Sequence, residues 1–368
     1  MARAKAIRRL GILSGGGDCP GINAVIRAVV KTAVLQYGMR CFGILDGFDG
    51  LIKGPRYTEL NYDNVKGLLF AGGTVLGSSN RANPFAYKEM VKGKVVERDY
   101  SGRVLKNIKK LRLDALIIIG GDGTLTISNE LYQKMGVSVV GVPKTIDNDL
   151  SATDVTFGFD TAVNTATEAI DRIQTTAESH HRAMIVETMG RYTGWIALKS
   201  GIAGGADIIL IPEIPFSIKK IYEAIRWREK MGRKYTIVVA AEGAYPKGGK
   251  VFVKKVVKTS FDPLRLGGIG EYLAHNIEKT LGIETRVTIL GHIQRGGTPT
   301  SFDRVLATRL GSAAVRLVAE RKFGMMVCLK TPDIKAVPIA EAIGQLRKVD
   351  PDCDMVRSAK DTGVFFGD

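Results

Sequence analysis

Short apolar runs rich in β-branched residues alternate along this chain with segments of helical pattern. That alternation predicts βαβ units built around a mostly parallel sheet. The predicted strands are RRLGIL, MRCFGIL, DALIII, VSVVGV, RAMIVE, ADIILI, YTIVVAA and RVTIL. Helices are predicted over 22–34, 161–175, 218–231 and 301–320. In open α/β sheets ligands bind outside the carboxyl ends of the strands, so the turns that follow these runs are where chemistry is to be sought. Two of those turns are acidic. GGDGT (120–124) follows DALIII, and PKTIDND (143–149) follows VSVVGV. Their separation of about twenty residues fits one βαβ unit, and it predicts that two adjacent strands deliver carboxylates to one crevice.

Composition narrows the partners. The chain has 368 residues, 45% of them hydrophobic, enough for a sizeable core and for two domains. The formal charge of +16 suits an anionic partner. Lys and Arg are spread without a long basic block, so small phosphorylated molecules are expected and nucleic acid is not. Cys19, Cys41, Cys328 and Cys353 show no CxxC pair and no metal spacing with histidine, which predicts a reduced, cytoplasmic setting. The apolar run near the N-terminus, LGIL, is too short for a signal segment, and no run approaches the roughly 18 apolar residues of a membrane helix. Neither a low-complexity linker nor a solenoid repeat is present.

Five turns carry candidate chemistry. SGGGDCPGIN (14–23) follows the first strand. Its glycines let backbone approach a phosphate, and the helix after it offers free amides to an anion, although Asp18 could simply cap that helix. It is neither a dinucleotide fingerprint nor a P-loop. In GGDGT, Asp122 is a carboxylate at a strand end, able to hold Mg²⁺ through waters while the metal bridges phosphate oxygens; capping of the next helix is the plainer use. In PKTIDND an extended backbone would point Asp147 and Asp149 to the same side. Two such charges need a cation or a shared proton, and one acting as base beside Thr145 is an economical use. ETMGRYTGW (187–195) and ETRVTILGHIQRGGTP (284–299) are basic. The latter sets Arg286, His292 and Arg295 around one strand and its glycine turn, a disposition suited to a phosphate monoester. His180 and His181 have no ligand spacing and are expected at a helix end.

Together these motifs resemble the phosphofructokinase family from about Leu10 to Gly311, through GGGDCPGIN, GGTVLGS, GGDGT, PKTIDND, FGFDTA, SHHR, ETMGRYTGW, AEGA and ETRVTILGHIQRGG. PKTIDND with GHIQRGG is the most specific pair. The resemblance implies two doubly wound three-layer α/β/α domains with the active site in the cleft between them. It assigns 1–158 plus about 294–345 to the donor domain, and 159–293 plus about 346–368 to the fructose 6-phosphate domain. It implies that Gly16, Gly17, Arg81, Gly121, Asp122, Gly123, Thr124 and Lys144 line the donor site, with Mg²⁺ on Asp122. Asp147 would take the proton of the sugar's 1-hydroxyl, helped by Thr145, Asp149 and Arg191. Met189, Gly190, Arg191 and Glu242 would contact the sugar, with His292 and Arg295 near its 6-phosphate. Arg182 and Arg286 would reach the sugar phosphate of a neighbouring subunit, so a homo-oligomer is implied, a tetramer rather than a dimer. In GSSNRANP one extra residue displaces Arg81 from the family register.

Two departures bear on the donor and on control. Lys144 stands where ATP-using bacterial members have glycine, as in the pyrophosphate-dependent branch. Gln174 stands where allosteric members carry arginine, which counts against control by ADP and phosphoenolpyruvate. Gly123, where pyrophosphate-dependent members carry Asp, leaves room for a nucleotide α-phosphate. The reading is therefore phosphoryl transfer from ATP with Mg²⁺, with pyrophosphate as the alternative donor. Lipid and nicotinamide-dinucleotide kinases share only GGDGT, and a non-catalytic anion-binding regulator would not be expected to keep both Asp122 and Asp147.

Overall fold

A computed structural model describes residues 6–257 and 264–368. In chain order its strands are β1 (Arg9–Ser14), β2 (Arg40–Ile44), β3 (Tyr57–Leu60), β4 (Tyr87–Val91), β5 (Lys94–Arg98), β6 (Ala115–Gly120), β7 (Val139–Pro143) and β8 (Ala183–Thr188). There follow β9 (Ile208–Leu210), β10 (Thr236–Ala241), β11 (Val253–Val256), β12 (Leu264–Leu266), β13 (Thr285–Ile289), β14 (Met325–Lys330) and β15 (Asp333–Pro338). The helices are α1 (Ile22–Tyr37), α2 (Asp49–Ile52), α3 (Ser101–Lys110), α4 (Asp122–Met135), α5 (Phe159–His180) and α6 (Trp195–Ala203). The remainder are α7 (Ile218–Lys230), α8 (Ile269–Leu281), α9 (Ser301–Ala319), α10 (Ile339–Ala342) and α11 (Asp354–Asp361).

All eight predicted strands form. Helix α1 runs on to Tyr37, where Gly38 turns left-handed at φ 61°, and α5 runs on to His180, where His181 does the same at φ 55°. His180 and His181 are thus helix-end residues, as expected. The strands divide between two sheets. One has the order β15-β14-β7-β6-β1-β2-β3, parallel through β14, β7, β6, β1 and β2, with β15 and β3 antiparallel at its edges. The other is a parallel sheet of order β13-β8-β10-β9. Two polar antiparallel ribbons, β4–β5 and β11–β12, stand outside both.

Alternation along the strands sets the layers. Ile117, Ile119, Ile237 and Val239 join one apolar cluster that continues through α1, α9, α5 and α6. Leu116 and Ile118 point to the opposite face, under α3 and α4, while Val238 and Ala240 point under α7 and α8. Each sheet therefore lies between two helical layers, and a single apolar layer links them. At its middle α9 approaches α1 closely enough that a Cβ on Gly311 would lie 2.8 Å from the Val25 carbonyl oxygen, so only glycine fits. No helix among the described residues is long and apolar enough to cross a membrane.

A buried clasp ties α5 to α9. Asp303 Oδ2 accepts from Thr161 N at 2.8 Å and from Thr161 Oγ1 at 2.5 Å, and Thr161 Oγ1 accepts from Thr300 N at 3.0 Å. Thr300 caps α9 and donates to Asp160 Oδ2 at 2.6 Å. Burial pushes the Asp303 carboxyl from 3.8 up to about 6. The folded value lies above the unfolded one, so between about pH 4 and 6 the native state holds the extra proton. That contribution to stability is present at low pH and is lost as pH rises through about 6. Asp303→Asn is expected to flatten this part of the stability curve in denaturant titrations at pH 4, 5, 6 and 7. Asp303→Ala, which strands the two Thr161 donors, is expected to destabilise by about 2–4 kcal/mol.

Candidate active site

Parallel strands bring their carboxyl ends to one side, and the order of the larger sheet reverses between β1 and β6. The glycine loop after β1, the GGDGT turn after β6 and the PKTIDND turn after β7 consequently share a crevice. From the smaller sheet, β8 delivers Met189 to Arg191, β10 delivers Glu242, and β13 leads into the 291–295 turn. The two sets meet. Thr193 Oγ1 donates to the Asp147 carbonyl at 3.1 Å, and Arg295 Nη1 donates to the Asp18 carbonyl at 3.1 Å.

On the glycine-loop side, Gly16 takes φ 78° and donates its N–H to the Ser79 carbonyl at 3.0 Å. Ser78 Oγ donates to the Gly16 carbonyl at 2.6 Å, so the loop that carries Arg81 abuts the glycines. The ammonium of Lys144 donates to the Gly17 carbonyl, and a Cβ on Gly17 would lie 2.7 Å from Arg295 Nη1. Neither capping alternative is what forms. Helix α1 begins after Gly21 and α4 after Gly121, each without a side-chain cap, while Asp122 Oδ1 accepts from Gly344 N at 2.9 Å. Thr124 is buried against Gly15 and Gly120.

The acidic turn after β7 corrects one expectation. Its backbone is not extended: Asn148 sits at φ 52°, and Thr145 Oγ1 accepts from Asp147 N at 3.0 Å. The left-handed residue is held because Asn148 Oδ1 accepts from Thr156 N at 3.0 Å. Asp147 and Asp149 still share the crevice, through a side-chain-closed turn rather than strand alternation. Asp147 Oδ1 is sealed from solvent with no hydrogen-bond partner among the described residues. Burial raises its pKa, against the pull of Arg295, Arg191 and Lys144. Asp149 is pushed to about 7 by burial and then by Asp147; Glu242 also reaches about 7 for the same two reasons. Burial lowers the pKa of Lys144, a residue only 4% exposed.

A second expectation changes too. Arg286 does not converge with His292 and Arg295, because it lies at the start of β13 and they follow its end, so the strand itself separates them. Arg286 instead pairs with Glu284, which also binds Arg182 Nε at 2.8 Å. The two arginines form a separate cluster at the amino edge of the smaller sheet. His292 is exposed, in the turn that follows β13.

Several positioning residues carried no assignment in the sequence. Thr193 holds Asp147, and fully buried Gln294 accepts from Met189 N at 3.4 Å and donates to the Gly291 carbonyl at 3.1 Å. Both lie inside motifs noted above, so the motif was the available signal. Gly344 has no motif, and its bond to Asp122 uses only backbone.

Among the described residues no group of three or more His, Cys, Asp or Glu could cage a metal. Asp122 keeps one carboxylate oxygen outside its bond to Gly344, at the mouth of α4 and near enough to Asp149 for its charge to be felt there. One carboxylate of this kind fits Mg²⁺ that arrives with phosphate oxygens and keeps its waters.

The phosphofructokinase family model matches residues 9–318. A Clostridium perfringens protein named ATP-dependent 6-phosphofructokinase 2 is 52% identical over 364 residues, covering 98% of this chain and 99% of its own. A Streptomyces coelicolor protein named pyrophosphate–fructose 6-phosphate 1-phosphotransferase is 51% identical over 359 residues, covering 98% and 100%. The T-state crystal structure of Pichia pastoris phosphofructokinase superposes with a TM-score of 0.77 at 33% identity, over 93% of this chain and 38% of that one.

Carboxyl signals of Asp149 and Glu242, followed by ¹³C NMR, are expected to titrate near pH 7 rather than near 4. In Asp147→Asn both midpoints should fall, because a negative neighbour that favours protonation is gone. Midpoints that stay near 4 in the parent protein would contradict this electrostatic picture.

Proposed function

The chain belongs to the phosphofructokinase family, and from that premise we propose that it transfers the terminal phosphoryl group of magnesium-bound ATP to the 1-hydroxyl of fructose 6-phosphate. The observation that carries the reading is Asp147 Oδ1, a carboxylate oxygen sealed in the crevice with no hydrogen-bond partner among the described residues and flanked by Arg295, Arg191 and Lys144. A base so placed has its proton acceptor kept for substrate.

The division of labour follows the two sheets. Segments 1–158 and about 294–345 form the donor domain, and 159–293 with about 346–368 form the sugar domain. Gly16 and Gly17 bring backbone to the donor phosphates at the amino end of α1, where unpaired N–H groups favour an anion. Arg81, Gly121, Gly123, Thr124 and Lys144 complete that side. When bound by Asp122 and phosphate oxygens, Mg²⁺ supplies positive charge where the leaving group gains negative charge. Met189, Gly190, Glu242, His292 and Arg295 hold the sugar. Asp147 takes the proton as the sugar oxygen forms its bond to phosphorus; the bond from phosphorus to the leaving phosphate oxygen breaks, and ADP departs with that electron pair. Thr145 shapes the turn around Asp147, Asp149 adds negative charge beside it, and Arg191 offsets charge on the moving group.

Arg182 and Arg286 pair with Glu284 away from this crevice; in our reading, which follows the family resemblance, they serve the sugar phosphate of a second copy in a homo-oligomer, a tetramer rather than a dimer. The reduced cysteines, all four free, suit the cytoplasm. Pyrophosphate as donor is the second reading, favoured by Lys144, whose ammonium reaches the glycine loop. Lysine only adds attraction, whereas a carboxylate at 123 would repel an α-phosphate, so Gly123 carries more weight.

Parallel assays for fructose 1,6-bisphosphate with ATP and with pyrophosphate test the proposal, and ATP is expected to be the better donor. Gly123→Asp is expected to cut activity with ATP roughly 100- to 1000-fold while leaving or unmasking use of pyrophosphate. A parent protein that works well with pyrophosphate and poorly with ATP would make Lys144 the deciding residue.

A further inference from the structure

Residues 343–349 form a strap that touches both acidic turns and then crosses to the smaller sheet. Gly344 N donates to Asp122 Oδ1 at 2.9 Å. Leu346 makes an isolated bridge with Leu150, and Arg347 N donates to the Asp149 carbonyl at 2.8 Å. The Arg347 guanidinium donates to the Asp154 carbonyl and lies 4.9 Å from the centre of the Trp195 ring. Trp195 Nε1 in turn donates to the Arg347 carbonyl at 2.8 Å. Beyond it, Val349 N donates to Glu213 Oε1 at 2.9 Å, and Glu213 also accepts from Gly194 N at 3.0 Å. Gly194 and Trp195 end the ETMGRYTGW loop that carries Arg191. One side chain thereby clamps a backbone segment whose N–H groups fix Asp122 and Asp149, and it stacks on the ring that ends the loop of the opposite sheet.

A half-buried guanidinium loses hydration, and here burial lowers its pKa. Its hydrogen bond and its stacking are the compensation, and the planar fork and face of arginine supply both more fully than a lysine ammonium does. Displacing a catalytic group by as little as about 1 Å can cost a reaction about 100-fold, so a residue whose segment holds the Asp122 carboxylate and the main chain of Asp149 can govern rate without touching substrate.

We propose that Arg347 is a positioning residue that couples the Asp122 and Asp149 turns to Trp195, so that a ligand at Asp122 is registered at the indole. The inference rests on the reading of Asp122 as the carboxylate facing a magnesium-bound nucleotide. The chain has two tryptophans, Trp195 and Trp227, the latter 49% exposed and edge-on to Phe365. Trp227→Phe leaves Trp195 as the sole reporter. In that background Mg-ADP, with binding checked by calorimetry, is expected to change Trp195 emission. Adding Arg347→Met should abolish the change, lower kcat about 10- to 100-fold, and leave the KM for fructose 6-phosphate within about twofold. Arg347→Lys should restore part of both, since it keeps a donor and a cation over the ring.

The proposal is overturned if Trp195 does not respond to bound Mg-ADP in the Trp227→Phe protein. It is equally overturned if Arg347→Met keeps both the response and kcat, or if its loss of activity matches a loss of folded protein while the folded fraction responds normally. Absence of Mg-ADP binding would overturn the donor reading and this proposal with it. Absence of fructose 6-phosphate turnover alone would sink the functional reading yet leave the emission test standing.

Discussion

Everything at the crevice is arranged around a carboxylate oxygen held out of water without a hydrogen-bond partner among the described residues. Asp147 Oδ1 is such an atom. An unsolvated acidic group is tolerated only if nearby cations offset it or a proton neutralises it. Both remedies are present. Burial pushes its pKa up while Arg295, Arg191 and Lys144 pull it down, and burial first and Asp147 second raise Asp149 and Glu242 to about 7. A hydroxyl that donates to Asp147, with phosphates that meet the cations, would satisfy these groups.

That arrangement needs groups from two sheets at one point. Parallel strands solve the problem, since every carboxyl end faces the same way and each turn can be varied without disturbing the apolar layer beneath. The layer through α1, α9, α5 and α6 joins the sheets, and the Asp303 clasp pins α5 to α9. Thr193, Arg295 and the 343–349 strap then bridge the sheets at the crevice itself.

Much of this was legible in the sequence because it depends on local pattern. The eight predicted strands are apolar on one face or both, and the adjacency of β6 and β7 follows from one short βαβ unit. The polar ribbons β4–β5 and β11–β12 bury too little to leave such a pattern. Strand alternation failed for Asp147 and Asp149 because Asn148 is locked left-handed by Thr156, a contact eight residues away. Arg286 was grouped with His292 and Arg295 because they are close in sequence, yet a strand carries neighbours to opposite edges of a sheet. Gly344 left no trace because it works through a backbone N–H, which every residue but proline has.

The central claim is that Asp147 receives the proton of the sugar hydroxyl. The most direct measurement is kcat of Asp147→Asn at saturating ATP and fructose 6-phosphate, with sugar affinity measured by calorimetry on the same protein. The account predicts that turnover falls by about 100- to 10,000-fold while the fold and sugar affinity are kept, because asparagine fills the space but cannot take a proton. Turnover within a few-fold of the parent would contradict it.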